Sequence, residues 1–225
     1  MLKKYSIYSG LILFVLFWVL LVSCTIYPNY DDKNSDTVDF KKVTVAKACN
    51  KDESTCLDRV LLVREKITNN TLAAISHLYN QSDFVKPETI CFDSIGGDNP
   101  PAERLIKFIK ASNLNTCLAE KYIISGSQEV KGVKCDSACP FLFLASDKRV
   151  ALGTDFAVGI HHSGKTFDLC LFKCHFNSGG EEFEQYLTRV EHKKFFKDSR
   201  KVDFEDERNL SFKELEGYAF FTQKL

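Results

Sequence analysis

The apolar positions of this chain follow two periods, and each period predicts one kind of element. Short runs rich in branched and aromatic residues, bounded by turn-forming residues, are typical of β-strands. Such runs occur at residues 43–48, 60–67, 89–93, 117–124, 149–152 and 157–161. Apolar residues three and four positions apart are typical of helices that bury one face. This spacing occurs at residues 70–80, 100–113, 140–145, 181–198 and 211–218.

The predicted strands and helices alternate along most of the chain, which indicates an α/β domain with a largely parallel sheet. The domain is expected to span residues 41–225. Pro100 and Pro101 favour a helix start, because proline is accepted in the first turn of a helix. Residues 126–134 are predicted to form a loop, and residues 164–178 are predicted to be irregular.

The first 24 residues have the pattern of an export signal. Two lysines precede the unbroken apolar run Leu11–Val22, which is typical of a secretory signal peptide. The run ends in Leu-Val-Ser-Cys, which resembles the bacterial lipoprotein cleavage box, and the resemblance implies that Cys24 is lipidated and becomes the new N-terminus. The alternative is an uncleaved membrane anchor from Tyr5 to Tyr27, long enough for the ~17–25 residues that a spanning helix needs.

Either interpretation of the N-terminus predicts an exported domain that is tethered to a membrane of the cell envelope, in the periplasm or at the cell surface. Residues 25–40 are polar and rich in turn-forming residues, so they are expected to be a tether. Lysine plus arginine and aspartate plus glutamate number 30 each, so the net charge is zero and nothing indicates a nucleic-acid partner.

Export agrees with the cysteines, because an even number of them in an oxidising compartment indicates disulfides. Of the nine cysteines, eight remain after Cys24 is set aside. Two local pairs are expected, and the cysteines beside Ser137 are expected to bridge each other or to reach a third. The candidates are Cys49 with Cys56, Cys170 with Cys174, and Cys135 and Cys139 with each other or with Cys117.

The stretch Cys135-Asp136-Ser137-Ala138-Cys139-Pro140, followed by apolar residues to Ala145, has the layout of an activated nucleophile. Pro140 allows a helix to begin there, and the start of that helix would direct N–H groups and a positive dipole end toward Ser137. Such donors stabilise the oxyanion that forms when a hydroxyl attacks a carbonyl.

Two further motifs accompany this serine. Ser94-Ile95-Gly96-Gly97 follows a predicted strand, and Ser94 is expected to shape that turn rather than to react. Gly159-Ile160-His161-His162 ends a predicted strand and follows Ser137. This combination resembles the Clp protease and crotonase superfamily, in particular an exported bacterial branch with a Cys-x-Ser-Ala-Cys motif. The resemblance covers residues 60–221 and implies repeated strand-strand-helix units around a largely parallel sheet, with disulfide support.

The resemblance implies that Ser137 is the nucleophile and His161 the general base. It also implies that the amides of Gly96 and Ala138 are the oxyanion donors, with Gly97 as the alternative to Gly96. These residue types suit the chemistry, because a serine hydroxyl needs a base to take its proton and histidine titrates near neutral pH.

The superfamily places an aspartate before a Leu-Ser that opens its last helix, where it orients the histidine. Glu207 falls at the matching offset, four residues before Ser211, and its neighbour Asp206 is the alternative acid. The predicted activity is that of a serine hydrolase, more specifically a peptidase acting on peptide or protein substrates. Self-association into a homo-oligomer is implied by the resemblance alone.

Two other interpretations compete with the hydrolase. Cys170-x3-Cys174-His175, together with His161 or His162, could bind zinc, but after export a disulfide is the simpler explanation, so neither metal nor cofactor is expected. A catalytically inactive envelope lipoprotein that acts as a binding or scaffolding module would share every feature except a working Ser137–His161 pair.

Overall fold

A computed structural model describes residues 42–80, 86–124, 128–169, 172–177 and 179–225, with residues 165–177 described through their backbone. The predicted signal peptide, the lipidation site Cys24 and the tether lie outside the described residues. In the part that is described, no helix combines the length and the apolar character that crossing a membrane requires.

The described chain contains strands throughout and short helices between them. The strands are β1 Val43–Cys49, β2 Cys56–Arg64, β3 Thr89–Asp93, β4 Asn115–Ala119, β5 Lys121–Ile124, β6 Gln128–Lys131, β7 Lys134–Asp136, β8 Arg149–Leu152, β9 Ala157–Ile160, β10 Gly164–Leu169, β11 Phe172–Asn177, β12 Arg208–Leu210 and β13 Gln223–Lys224. The helices are α1 Asn69–Asn80, α2 Asn99–Ala111, α3 Cys139–Leu144, α4 Val190–Ser199 and α5 Phe212–Gly217, with a 3-10 helix at Glu181–Tyr186.

The large sheet is mixed rather than largely parallel. Its strand order is β13-β8-β4-β3-β2-β1-β5-β6. Pairing is parallel from β13 to β2 and antiparallel from β2 to β6. The predicted strand-strand-helix unit occurs as β1-β2-α1, whereas β3 alone precedes α2. The fold class α/β is therefore confirmed, and the expectation of a largely parallel sheet holds for only one part of it.

The two faces of the large sheet bury separate hydrophobic clusters, because successive residues of a strand point to opposite sides. Leu61 and Val63 of β2 belong to the larger cluster, together with residues of α1, α2 and α3. Val60 and Leu62 belong to the smaller cluster, which includes Tyr122. Helix α3, which begins in the serine motif, and helix α2, which follows the glycine motif, therefore pack on the same face of the sheet.

A second, three-stranded sheet holds the sequence-predicted site. Its order is β12-β9-β7, with β7 parallel and β12 antiparallel to the central strand β9. The β10-β11 hairpin belongs to a different compact unit from the two larger sheets. Strand β6 of the large sheet and this hairpin lie in stretches that the sequence predicts to be loop or irregular, residues 126–134 and 164–178, so those two predictions are wrong.

Two predicted elements are split in the structure. The strand predicted at residues 117–124 is β4 and β5, separated at Glu120, whose carboxylate accepts hydrogen bonds from the N–H groups of Lys51, Thr154 and Asp155. The helix predicted at residues 181–198 is the 3-10 helix followed by α4, because Leu187 and Arg189 are extended. The helical spacing of apolar residues arises because Phe183 of the 3-10 helix and Phe195 of α4 are both buried, although no continuous helix joins them.

Three disulfides join described cysteines. Cys49–Cys56 closes the β1-β2 hairpin, as predicted. Cys135–Cys139 brackets Ser137, which confirms one of the two predicted arrangements. Cys117 instead bridges Cys91, its direct partner in the β3-β4 register. The predicted pair Cys170–Cys174 lies outside the described side chains.

The C-terminal segment is joined to the core by Arg149, whose residue is only 2% exposed. The Arg149 guanidinium donates to the carbonyls of Phe220 at 2.7 Å, Ser146 at 2.6 Å and Ala219 at 3.3 Å. Burial, followed by repulsion from Arg189, lowers the pKa of Arg149 to about 10, so it remains charged at neutral pH. The charge is compensated mainly by carbonyl dipoles from two segments far apart in sequence.

Replacement of Arg149 by alanine should lower the free energy of unfolding by about 3 kcal/mol, because it leaves several buried carbonyls without donors. Urea denaturation measures this difference. The control is Lys201→Ala, since the Lys201 side chain is 74% exposed in its ion pair with Asp198 and should change stability by less than about 1 kcal/mol. Equal effects of the two substitutions would contradict the role assigned to Arg149.

Candidate active site

Ser137 occupies a tight turn between β7 and α3. Its φ is +61°, in the left-handed region that residues other than glycine seldom adopt. The Cys135–Cys139 disulfide spans the turn, and the Ser137 N–H donates to the carbonyl of Gly159 at 3.1 Å. A backbone held in this region by surrounding structure is a feature that clusters at functional sites.

The glycine motif packs directly against this turn. Gly96 has a φ of +85°, and a Cβ placed on it would lie 2.6 Å from Ser137 Cβ and 2.8 Å from the Ala138 nitrogen. A Cβ on Gly97 would lie 2.2 Å from the carbonyl oxygen of Ile67. Both positions therefore require glycine, because any side chain would displace neighbouring backbone.

Ser94 shapes the glycine turn. Its hydroxyl donates to the Glu65 carbonyl and accepts from the Gly96 N–H at 3.1 Å. Its carbonyl accepts from the Asp136 N–H at 2.9 Å. The Ser94 side chain is thus engaged in holding the glycine turn beside the serine turn.

The two histidines that follow β9 have different environments. The Nδ1 of His161 contacts the His162 carbonyl at 2.7 Å, and because a carbonyl only accepts, this nitrogen carries the proton. Nε2 of His161 is then the nitrogen with the lone pair. His162 is only 8% exposed, its Nδ1 donates to the Ser163 carbonyl at 2.6 Å and its Nε2 accepts from Arg200 Nε at 3.2 Å. Both ring nitrogens of His162 are therefore occupied, which favours His161 as the base.

Glu207 is the acid that the structure places beside the strand carrying His161. Arg208 of β12 pairs with Ile160 of β9 in the antiparallel ladder. Glu207 precedes Arg208 and His161 follows Ile160, so Glu207 and His161 lie at the same end of the paired strands. The Glu207 carboxyl carbon lies 2.9 Å from the position that a Cβ on Gly159 would take. Asp206 and Glu207 are both exposed, and of the two predicted acids Glu207 is the one whose carboxyl lies against Gly159 of the central strand.

Asp136 is a site residue that the sequence-based prediction missed. It is 3% exposed and its Oδ1 accepts from the Gly159 N–H at 3.0 Å. Burial, followed by repulsion from Glu207, raises the pKa of Asp136 to about 6, although Lys134 and His161 act in the opposite direction. A sequence signal existed, because Asp136 is the only charged residue of the motif Cys135-Asp136-Ser137-Ala138-Cys139-Pro140, which leads into an apolar helix.

The structure brings these groups onto neighbouring strands without forming every contact that a triad requires. In the described part of the chain, no hydrogen bond joins the Ser137 hydroxyl to His161 or to His162. The described residues also contain no group of three or more histidine, cysteine, aspartate or glutamate side chains arranged to hold a metal ion. The alternative zinc ligands Cys170, Cys174 and His175 lie outside the described side chains.

Asp136→Asn should stabilise the protein above neutral pH by about 2 kcal/mol, because asparagine keeps the acceptor for the Gly159 N–H and removes a buried charge. A raised pKa in the folded state contributes stability below the unfolded pKa that is lost as pH rises from about 4 to about 6. The advantage of the variant should therefore be smallest near pH 4 and largest above pH 7.

Urea denaturation of both proteins across this pH range measures the effect. Asp58→Asn is the control, since the Asp58 side chain is 76% exposed in an ion pair with Lys47. A difference between Asp136→Asn and the unaltered protein that does not change with pH would contradict the assignment.

No family model and no curated protein sequence matches the chain. Its fold does match solved structures of the 1510-N membrane-bound stomatin-specific protease. A serine-to-alanine mutant of that protease is 12% identical, with a TM-score of 0.52 over 74% of this chain and 78% of the protease chain. A lysine-to-alanine mutant in complex with a substrate peptide is 14% identical, with a TM-score of 0.50 over 74% of each chain. At these identities the comparison establishes the fold: the chain shares the α/β fold of that protease.

Proposed function

We propose that the protein is a serine hydrolase that cleaves peptide bonds, with Ser137 as nucleophile and His161 as general base. The observation that carries the proposal is the Ser137 turn itself. The serine has a left-handed backbone, is bracketed by a disulfide, packs against Gly96 and is hydrogen-bonded to the strand that leads into His161. A strand-to-helix connection without a catalytic role would not require a serine with this unfavourable backbone conformation.

The chemistry follows from the protonation of His161. Its Nδ1–H is engaged by the His162 carbonyl, so Nε2 is free to take the proton of the Ser137 hydroxyl as that oxygen attacks a carbonyl carbon. The imidazolium then donates the proton to the departing amine. Catalytic hydrogen bonds often form only in the substrate complex, so the Ser137–His161 bond is expected when a substrate occupies the site.

Two backbone amides are proposed to stabilise the oxyanion. The N–H of Ala138, the residue after the nucleophile, is one of them. From the glycine motif we propose Gly97, because the Gly96 N–H already donates to the Ser94 hydroxyl. An oxyanion hole of this kind contributes a factor of about 10²–10³ per donor to the rate.

The fold supports a peptide substrate. The 1510-N protease is a membrane-bound enzyme specific for stomatin, and one of its structures contains a substrate peptide. We propose the broader class, a peptide or protein segment, for this chain. Membership of the Clp protease and crotonase superfamily, and self-association as a homo-oligomer, belong to the same proposal and rest on the motifs around Ser137, Gly96 and His161.

A fluorophosphonate probe should label the protein at Ser137, and Ser137→Ala should abolish the labelling. His161→Gln should slow labelling by about 10²–10⁴, the range expected for loss of a general base. The matched control is Ser54→Ala, which alters an exposed serine of the β1-β2 loop and should leave labelling unchanged. Intact-mass spectrometry measures each rate. A folded protein that takes up no probe would instead be the inactive binding or scaffolding lipoprotein.

We further propose that the chain is exported and held at a membrane of the cell envelope through lipidated Cys24. The three disulfides of the described chain support this proposal, because disulfides persist in oxidising compartments.

Cells that express the full chain should incorporate labelled palmitate into it, and Cys24→Ser should remove this label. Label that persists in Cys24→Ser, or is missing from the unaltered chain, would contradict lipidation. Membrane association without any lipid label would instead identify the uncleaved anchor at residues 5–27. Cys56→Ser, which alters a disulfide cysteine of the domain, is the control and should retain the label.

A further inference from the structure

Gly159 is the point at which two carboxylates meet. It lies in the central strand β9, between Asp136 on β7 and the segment leading into β12. The position of a Cβ on Gly159 would lie 2.6 Å from Asp136 Oδ1 and 2.9 Å from Glu207 Oε1. The two oxygens are therefore no farther apart than the sum of these distances, and they occupy the space that the glycine leaves open.

Few groups compensate the charge of this pair. Asp136 accepts one hydrogen bond, from the Gly159 N–H at 3.0 Å, and it is almost completely buried. None of the ion pairs among the described residues includes Asp136 or Glu207. The charged or titratable groups that face Asp136 are Glu207 from the β12 side, Lys134 from its own strand and His161 from the end of β9.

A purely structural role does not explain an aspartate at this position. The Gly159 N–H needs an acceptor, and an asparagine or serine side chain would supply one without burying a charge next to a second carboxylate. The burial of a carboxyl whose ionised form is disfavoured is instead typical of functional sites. The raised pKa of Asp136 therefore agrees with its buried position beside Glu207.

We propose that Asp136 is a positioning residue of the active site, and that it acts jointly with Glu207 as a carboxyl pair that balances the charge of His161 during catalysis. This inference rests on the hydrolase proposed above. A single carboxylate orients the histidine in the usual serine hydrolase triad, whereas here the acid function is divided between a buried and an exposed group on either side of Gly159.

The Asp136 carboxyl, beside the carboxylate of Glu207, is protonated at low pH and becomes ionised as the pH rises through its pKa of about 6. Its negative charge lies near His161 and favours the imidazolium that forms when Ser137 gives up its proton. Loss of the Asp136 proton, centred near its pKa of about 6, should therefore raise the reactivity of Ser137. Because repulsion from Glu207 contributes to the raised pKa of Asp136, removing the Glu207 carboxylate should lower that pKa.

The first test measures the pair without any catalysis. Carbon NMR titration of the side-chain carboxyls in Ser137→Ala protein should give a pKa of about 6 for Asp136. In the background of Glu207→Gln this pKa should fall by about one unit, because the repulsion between the carboxylates is gone. Asp206→Asn, the control on the neighbouring exposed acid, should leave the pKa of Asp136 where it was. An Asp136 pKa that does not change in Glu207→Gln would overturn the proposal that the two carboxyls act as a pair.

The second test measures joint action, through the rate of fluorophosphonate labelling between about pH 5 and pH 9. If either carboxylate can serve His161 alone, Asp136→Asn and Glu207→Gln should each slow labelling about threefold to tenfold, and the double variant by more than about 100-fold. The single variants should also shift the acidic limb of the profile. The proposal would be overturned if Glu207→Gln were labelled as slowly as the double variant while Asp136→Asn were labelled at the rate of the unaltered protein. Glu207 would then be the single acid.

The two tests separate the inference from the function on which it rests. A responsive pair in a protein that takes up no probe would contradict the hydrolase, and with it the catalytic role of the pair. Labelling that is lost in Ser137→Ala but unaffected by either carboxyl variant would retain the hydrolase and reject the inference. Asparagine at position 136 keeps the acceptor for the Gly159 N–H, so the variant is expected to fold.

Discussion

The candidate site depends on the backbone pairing of Gly159 with the segment that contains Ser137. The Gly159 carbonyl accepts from the Ser137 N–H, and the Gly159 N–H donates to the Asp136 side chain. These two hydrogen bonds join the strand that ends in the serine to the strand that ends in the histidines. Since Gly159 has no side chain, the carboxylates of Asp136 and Glu207 can approach from both sides. Ser137, Asp136 and Glu207 therefore all lie around Gly159, one strand position before the residue that precedes His161.

The rest of the structure supports that contact from a distance. The Ser94 carbonyl holds the Asp136 N–H, and the Ser94 side chain holds the glycine turn against Ser137. The disulfide at Cys135 and Cys139 closes the serine turn from the other side. A disulfide-bracketed turn of this kind restricts the unfolded chain as well as the folded one, which makes it stabilising even though the backbone at Ser137 is unfavourable.

At Asp136, the ionised carboxylate proposed to assist catalysis is the form that destabilises the folded protein. Its buried carboxyl is more stable when protonated, so the folded protein binds that proton more tightly than the unfolded chain does. Arg149, buried beneath the C-terminal segment, is also a buried charge, but four carbonyl oxygens lie within hydrogen-bond distance of its guanidinium. The contrast between the two residues is physical: the Arg149 charge has four carbonyl acceptors and joins two segments, whereas the Asp136 carboxyl accepts one hydrogen bond, from the Gly159 N–H.

Local sequence was sufficient for the parts of this protein that depend on neighbouring residues. The proline-led start of α2, the Ser211 cap of α5 and the glycine motif all depend on contacts within a few residues, and each is found where the pattern placed it. Tertiary structure alone decided the pairing of β7 with β9, the Cys91–Cys117 bridge, the occupied ring of His162 and the approach of Glu207 to Asp136. These features join residues that are tens of positions apart, and their energies come from burial and from strand register, which no local pattern encodes.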